Sequence, residues 1–413
     1  MINFKRVLFL GLLPLTLMAE FELSGHLDLD SQFYLTSPED KHKNNFTAKQ
    51  IVEMRYIYED LTTFTKLYAQ EDYYDALETR KHNDRTFVRL DELYARYDFE
   101  NDSINVGKNI KYWGALELRN IVDGFNPNDF RTDMFSSDKL GVWNVSYSHY
   151  TDSGEFSLHV KLDEQDQKMP AYPYVYYFLP KGISYNESLQ TQESKNRPSL
   201  YLSYSASTDT EYALDFAFIY ENGYDSQRYF TTDATLSSLP TEFRQHAYIV
   251  NKFMTYNTLV IDSTLIKLEA LYAKVDGDEA VGDYSHIALG VEHSLEDFEN
   301  GSTLGLIAEY YRYDTYEDDK YDDLQLFETM QNDIFIGARY TFNNEDDSSI
   351  VGGVVADTEY HEQTYYAQFE SRVFDSFKIA MDYYYVNPSE DTLTAYALLG
   401  KHQRIGLNIA WHF

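Results

Sequence analysis

The sequence predicts an all-β fold: a transmembrane antiparallel β-barrel of about eighteen strands, within a range of 16–18, carrying short turns on one rim and long loops on the other. Three observations predict it. Segment after segment alternates apolar and polar residues with period two. The connections between these segments alternate in length. No apolar run long enough for a membrane helix follows residue 20, yet the chain is rich in aromatics.

The first element is a leader. Lys5 and Arg6 precede an apolar stretch at 7–17, and Ala19 stands before an expected cleavage point. This is the layout of a secretory signal peptide, too short to span a bilayer. The expected organisation is a leader at 1–19 and one barrel at 20–413. The chain has no cysteine, which excludes disulfides, thiol nucleophiles and thiolate metal sites. Its formal charge of -34 becomes -36 once Lys5 and Arg6 leave. Such a chain repels nucleic acid, which needs clustered Lys and Arg. Disorder is the other reading of strong acidity, and 39 Tyr with 26 Phe argue against it.

The strands follow in order. Phe21, Leu23, Gly25, Leu27 and Leu29 alternate with Glu22, Ser24, His26 and Asp28. Leu93, Ala95, Tyr97 and Phe99 alternate with Glu92, Tyr94, Arg96 and Asp98. Similar patterns occupy 304–311, 333–342 and 377–385, and the last, at 404–413, sets Ile405, Leu407, Ile409, Trp411 and Phe413 against a polar row. Period two puts one set on each face of a strand. A membrane barrel turns the apolar set to lipid and the polar set to the lumen. A water-soluble sandwich also alternates, but it has no reason to sort its loops by length.

Short connections are read near 59–60, 99–102, 151–154, 206–209, 256–258, 295–301, 343–349 and 374–376. Long ones are read near 36–45, 73–85, 111–140, 164–197, 222–242, 276–283, 314–330, 358–362 and 387–400. Tyr73-Tyr74, Tyr310-Tyr311, Tyr365-Tyr366 and Tyr383 to Tyr385 gather near strand ends, where interfacial girdles belong. The loop at 164–197 holds Pro170, Tyr172, Pro173, Tyr174, Tyr176, Tyr177, Phe178 and Pro180. It reads as a constriction or lid, against the alternative of a plain surface loop.

Strand parity names lumen candidates: Glu53, Arg55, Glu92, Arg96, Asp98, Glu309, Arg339, Glu370, Arg372, Asp382 and Arg404. Charges of both signs suit a water-filled channel. Asp314, Asp318, Asp319, Asp322 and Asp323 lack the turn glycine of a calcium loop and read as a solvated acidic face. None of the standard hydrolase, zinc or phosphate-loop patterns occurs, so neither an enzyme nor a metal or cofactor is expected.

Two segments resemble known families. The terminal Trp411-His412-Phe413 resembles the C-terminal signature of bacterial outer-membrane proteins, with Trp411 and Phe413 implied as the part read by the barrel-assembly machinery. The stretch 106–131 runs Val106-Gly107-Lys108-Asn109-Ile110-Lys111-Tyr112-Trp113-Gly114 and later Asn126-Pro127-Asn128-Asp129-Phe130-Arg131. It resembles a segment of porin-like outer-membrane families of Gram-negative bacteria, loosely those like the alginate-export barrel. This likeness covers some 26 residues plus the two chain ends, and supports a class rather than a cargo. Lys108, Lys111, Trp113, Arg119, Asp129 and Arg131 become constriction candidates if the loop folds inward, where facing charges select solutes by sign and size. A loop packed on the rim with solvated charges is the other reading.

The expected function is a porin of the outer membrane, passing small hydrophilic solutes by diffusion with a preference for cations. The alternative is a substrate-specific channel or exporter for a carbohydrate, an aromatic acid or a lipid. Expected partners are outer-membrane lipid and lipopolysaccharide, the assembly machinery and small solutes. A homo-oligomer fits the class, though the sequence marks no face for one.

Overall fold

The protein is described by a computed structural model covering residues 19–413 except 38–39, 78–83, 209, 236–237, 297 and 317–327. Residues 1–18 of the expected leader, and Asp318, Asp319, Asp322 and Asp323, lie outside the described residues.

Eighteen strands form one antiparallel sheet that closes on itself. We number them β1 (Glu20–Thr36), β2 (Asn44–Tyr58), β3 (Leu61–Asp72), β4 (Phe87–Asp98), β5 (Asp102–Asn109), β6 (Val142–Thr151), β7 (Gly154–Lys161), β8 (Ser199–Ser207) and β9 (Ala213–Tyr224). The second half runs β10 (Ile249–Ile261), β11 (Thr264–Val275), β12 (Tyr284–Leu295), β13 (Thr303–Thr315), β14 (Asn332–Thr341), β15 (Ser349–Asp357), β16 (Gln363–Val373), β17 (Phe377–Asn387) and β18 (His402–His412). Each strand pairs with its neighbours in sequence, and β18 pairs with β1. Closure satisfies every strand edge, which a bilayer demands because lipid offers no hydrogen bonds. No described helix is long and apolar enough to cross a membrane.

The exterior is apolar for the reason the alternation implies. Leu23, Leu27 and Leu29, then Ile287, Leu289 and Val291, then Ile405, Ile409 and Trp411 are all exposed on the outside. Their alternating neighbours face inward, where polar pairs such as Glu22 with Arg55 stand beside small residues such as Ala288 and Ala410. The tyrosine clusters divide between the two faces. Tyr310, Tyr365 and Tyr73 are exposed, whereas Tyr311 is fully buried in the interior and Tyr366 stacks there on Tyr384. Consecutive residues of a strand cannot share a face, so Tyr311, Tyr366 and Tyr384 belong to the lumen and not to a girdle, while Tyr73 and Tyr74 lie in a short helix beyond β3.

Loop placement follows the expected sorting, with one correction. Residues 256–258 lie inside β10, and the turn comes at Asp262-Ser263, where Asp262 adopts φ 48°. Asn257 looks like a turn residue but is a strand residue whose amide donates to Thr255 Oγ1 at 3.0 Å. Two long loops contain structure of their own. Ser184–Thr191, Tyr229–Thr232 and Glu242–Ala247 form a three-stranded sheet. A short helix, α1 (Tyr73–Leu77), follows β3. A second, α2 (Ala395–Leu399), precedes β18 and is capped by Thr394, whose hydroxyl accepts the Ala397 N–H.

Candidate permeation pathway

The loop between β5 and β6, residues 110–141, runs inward. Its base is closed by Asn126, a buried side chain bonded to three backbone groups. The amide donates to Asn109 O at 3.0 Å and Leu140 O at 2.9 Å, and its oxygen accepts the Lys111 N–H at 2.8 Å. Gly107 (φ 147°) and Gly114 (φ 130°) occupy conformations that L side chains rarely adopt. A Cβ on Gly114 would meet the Asn120 side chain at 2.3 Å. Trp113 then packs among Phe125, Tyr201 and His159, with ring centroids 5.5, 5.7 and 6.1 Å away.

The segment 115–122 is held by two wall carboxylates. Glu269 of β11 accepts backbone N–H groups of Ala115, Leu116, Ile121 and Val122 at 2.6–3.3 Å. Glu309 of β13 accepts those of Glu117 and Leu118 at 2.7 and 3.1 Å, and the Tyr311 hydroxyl at 2.6 Å. A segment without regular structure leaves its amides unpaired, and a buried unpaired amide is costly. These two carboxylates supply the missing acceptors. Leu116 packs with Ala288, Ile307 and Phe335, and Val122 with Ile219, Met254 and Leu271. Glu117 pairs with Arg339, and Arg119 with Glu328.

The returning limb lies against the other side. Asp129 binds Arg89 of β4 at 2.6 Å and Arg131 at 2.7 Å. The Arg131 guanidinium covers the Phe87 ring at 4.0 Å. Asp133 binds Arg404 of β18 at 2.5 Å, and Phe135 stacks on Tyr384 of β17. One limb thus rests on β11 to β14 and the other on β1 to β4 with β17 and β18. In a ring of eighteen strands these walls face each other, so the loop crosses the lumen.

The loop between β7 and β8, residues 162–198, joins it. Lys168 exchanges backbone bonds with Asn128 and Phe130 at 3.0 and 2.8 Å. Tyr174 and Tyr176 are fully buried, packed with Tyr34 of β1. The Tyr176 hydroxyl accepts from Arg404 at 2.9 Å. Arg85, also fully buried, binds Asp72 at 2.9 Å and lies over the Tyr174 ring at 3.9 Å.

Many charges of the crossing loop are paired, Asp123 with Lys139 and Asp129 with Arg131 inside the loop, Arg119 with Glu328 and Asp133 with Arg404 outside it. Burial works to raise the Asp133 carboxyl, but Arg404 and the Phe135 N–H together hold it below the ordinary value. Glu328 is likewise penalised by burial and held low, mainly by Arg119. Burial lowers Lys111 and Lys139; Asp123 opposes the effect on Lys139. Burial raises Asp123, opposed by Lys139.

The register places all eleven strand candidates on inward rows. Arg55 pairs with Glu22 at 3.6 Å, Lys66 with Glu53 at 3.2 Å, and Arg96 with Asp98 at 2.8 Å. Glu92 accepts the Ile110 N–H at 3.0 Å. Glu370 binds Lys378 at 2.6 Å, Arg372 binds Asp347 at 2.9 Å, and Asp382 binds Arg404 at 2.7 Å. Glu22, Ser24, Glu53, Arg55 and Phe64 line a recess of about 140 Å³. Glu309 and Arg339 hold the crossing loop as described. Lys111, Trp113, Arg119, Asp129 and Arg131 lie in that loop. Lys108 does not belong with them. It pairs laterally with Leu93 and Trp143, both exposed on the outer face, and its ammonium donates to Leu90 O at 2.7 Å. Gly107 takes the inward position, so Lys108 faces out. Trp411 and Phe413 are exposed on the exterior at 44% and 45%.

Sequence reasoning missed Glu269, Asn126, Arg85 and Arg89. In the sequence Glu269 stands out only as one of three charges, with Asp262 and Lys267, in the otherwise largely apolar stretch 258–273. Among the described residues no cluster of His, Cys, Asp or Glu is arranged to hold a metal ion.

The geometry defines a class: an outer-membrane antiparallel β-barrel whose lumen is crossed by a folded-in loop. Solved structures share the fold. The OccK8 (OprE) structure of Pseudomonas aeruginosa matches with TM-score 0.57 and 9% identity, over 95% of this chain and 98% of that one. OccAB2 of Acinetobacter baumannii gives TM-score 0.54 and 9% identity over 95% and 98%. OccK11 (OpdR) of P. aeruginosa gives 0.51 and 8% over 96% of each. No family model and no curated protein matches the sequence. The chain therefore has the fold of Gram-negative outer-membrane barrels, and its lipid-facing exterior places it in that membrane.

Proposed function

We propose that the protein is an outer-membrane porin for small hydrophilic solutes, with a lumen narrowed by residues 110–141 and roofed by 162–198. The observation that carries this reading is the tethering of 115–122 across the interior by Glu269 and Glu309. A loop serving only the rim has no need of acceptors deep on the far wall. The segment that resembles the porin-like families, 106–131, is the one that crosses. Cations are favoured. Arg119, Arg131 and Arg339 each sit against a carboxylate, while the inward strand rows carry more acids than bases.

Planar-bilayer recording of the refolded protein tests this. Ohmic steps with a reversal potential favouring the cation in a salt gradient are expected. A chloride-favouring potential overturns the selectivity. No conductance from folded, inserted barrels overturns passive diffusion. The substrate-specific alternative draws on the joining of the two loops through Lys168. It predicts saturable uptake of one solute that is lost when 164–197 is trimmed.

A further inference from the structure

At the long-loop end of β14 and β15 two carboxylates stand side by side. Asp333 and Asp357 are lateral partners on the inward row, which puts their Cβ atoms about 5 Å apart. Asp333 is 2% exposed and Asp357 is 8% exposed. Asp333 accepts one hydrogen bond, from the Asn332 N–H at 3.1 Å. Asp357 accepts the N–H groups of Glu359 and Tyr360, both at 2.6 Å, and the side-chain amide of Gln331 at 2.8 Å. Among the described residues no lysine, arginine or histidine forms an ion pair with either aspartate.

Gln331 sits against this pair and is 1% exposed. Its Nε2 is held by Asp357, while Oε1, on the same carbon, accepts no hydrogen bond. A buried carbonyl oxygen without a donor is costly. So are two adjacent buried carboxylates without a cation. The surrounding charges do not relieve them. Glu328, three residues upstream of Gln331, takes Arg119 of the crossing loop. Glu362, whose carbonyl accepts the Asp357 N–H at 3.0 Å, is another buried carboxylate. Its partners are neutral: the Ser389 N–H at 3.0 Å and the Thr394 hydroxyl. Three buried acids at this corner therefore share no base, and one cation would answer both the charge and the orphaned oxygen.

We propose that Asp333, Asp357 and the side-chain oxygen of Gln331 form a calcium site on the lumen wall. No three carboxylates or imidazoles converge here; two carboxylates do, and the third ligand is an amide oxygen. An all-oxygen set without thiolate or imidazole suits a hard divalent ion and not zinc or copper. Calcium accepts carboxylate, amide and water oxygens together in a flexible shell, whereas magnesium demands a tight octahedron. The ligands come from two strands and the segment that leads into one of them, which fits the looser shell. Bound there, the ion would tie β15 to the chain entering β14, beside the residues that receive Arg119.

The full chain, refolded in detergent without lipopolysaccharide, is unfolded in guanidinium with either calcium chloride or a calcium chelator present. Calcium is expected to raise the midpoint of the wild type. Asp333→Asn keeps the shape and removes one charge. It is expected to lose the calcium increment, while its midpoint in chelator equals or exceeds that of the wild type because a repulsion has gone. Asp318, Asp319, Asp322 and Asp323 remain in every variant, so calcium taken up by them is common to all and drops out of the comparison. No calcium effect on the wild type means that the pair shares a proton instead, and overturns the proposal; so does an equal increment in Asp333→Asn. Terbium gives a direct reading, because Tyr311 is the lateral partner of Asp333 on β13 and a nearby tyrosine sensitises its emission. Emission displaced by calcium more readily than by magnesium is expected, with terbium affinity weaker by about 10-fold or more in Gln331→Leu. Unchanged affinity in Gln331→Leu, or a preference for magnesium, overturns the assignment.

Discussion

Glu269→Ala should release the crossing segment while leaving the barrel closed. The Glu269 side chain accepts four backbone N–H groups, from Ala115, Leu116, Ile121 and Val122. An intramolecular hydrogen bond contributes about 1 kcal/mol net, so the four give about 4 kcal/mol in all. That is nearly three decades in the ratio of seated to released segment. The Glu309 bonds and the packing of Leu116 and Val122 remain, so release is expected to be transient. In single-channel recordings the variant should flicker between the native conductance and a larger one. Glu269→Gln, which keeps one oxygen acceptor, should fall between. A variant that migrates as folded barrel yet records with native conductance and native noise would refute the idea that this side chain seats the loop.

Three further outcomes are expected. Asn126→Ala removes three bonds at the base of the loop and orphans buried backbone groups; it should raise open-channel noise at a cost of about 2–3 kcal/mol in loop stability, read as faster proteolysis within 110–141. Arg339→Ala leaves Glu117 without its main cation, so the reversal potential in a salt gradient should move toward greater cation preference, and an unmoved potential would place Glu117 outside the ion path. For pH, Asp133 and Glu328 have folded values held below their unfolded ones, so their contribution is complete above the unfolded value and is lost as pH falls through the depressed folded one. The contacts to Arg404 and Arg119 should survive acidification through the usual carboxylate range of about 4 and fail only below it, which noise recorded at successively lower pH would follow.

Period two made the walls legible. Glu53, Arg96, Arg339 and Asp382 face inward because a strand offers only two faces, and the alternation says which is apolar. Parity fails where the ladder slips. The register between β3 and β4 shifts near Lys66 and Leu67, which turns Arg89 inward together with Glu92 although the two differ in parity. No local pattern marks that slip. Lys108 departs from expectation for a related reason: its sequence neighbours group it with the loop that follows, whereas β5 extends through Asn109. The fastening of the loop was harder still to foresee. Glu269 stands 154 residues from Ala115, and a glutamate inside an apolar run signals only that something must solvate it. What solvates it is backbone, which leaves no trace in side-chain identity.

The seam of the barrel has a consequence for its biogenesis. Gly25 near the start of β1 and Phe413 after β18 exchange a reciprocal pair of main-chain bonds, each 3.0 Å. The two strands that complete the cylinder are thus the first and last of the barrel in chain order. Until β18 arrives, a growing sheet keeps two raw edges able to pair with any passing strand, and the pairing that removes them spans nearly the whole chain, the slowest kind of contact to find. Pairing of β1 with β18 therefore removes both raw edges, and the aggregation hazard they carry, in a single step.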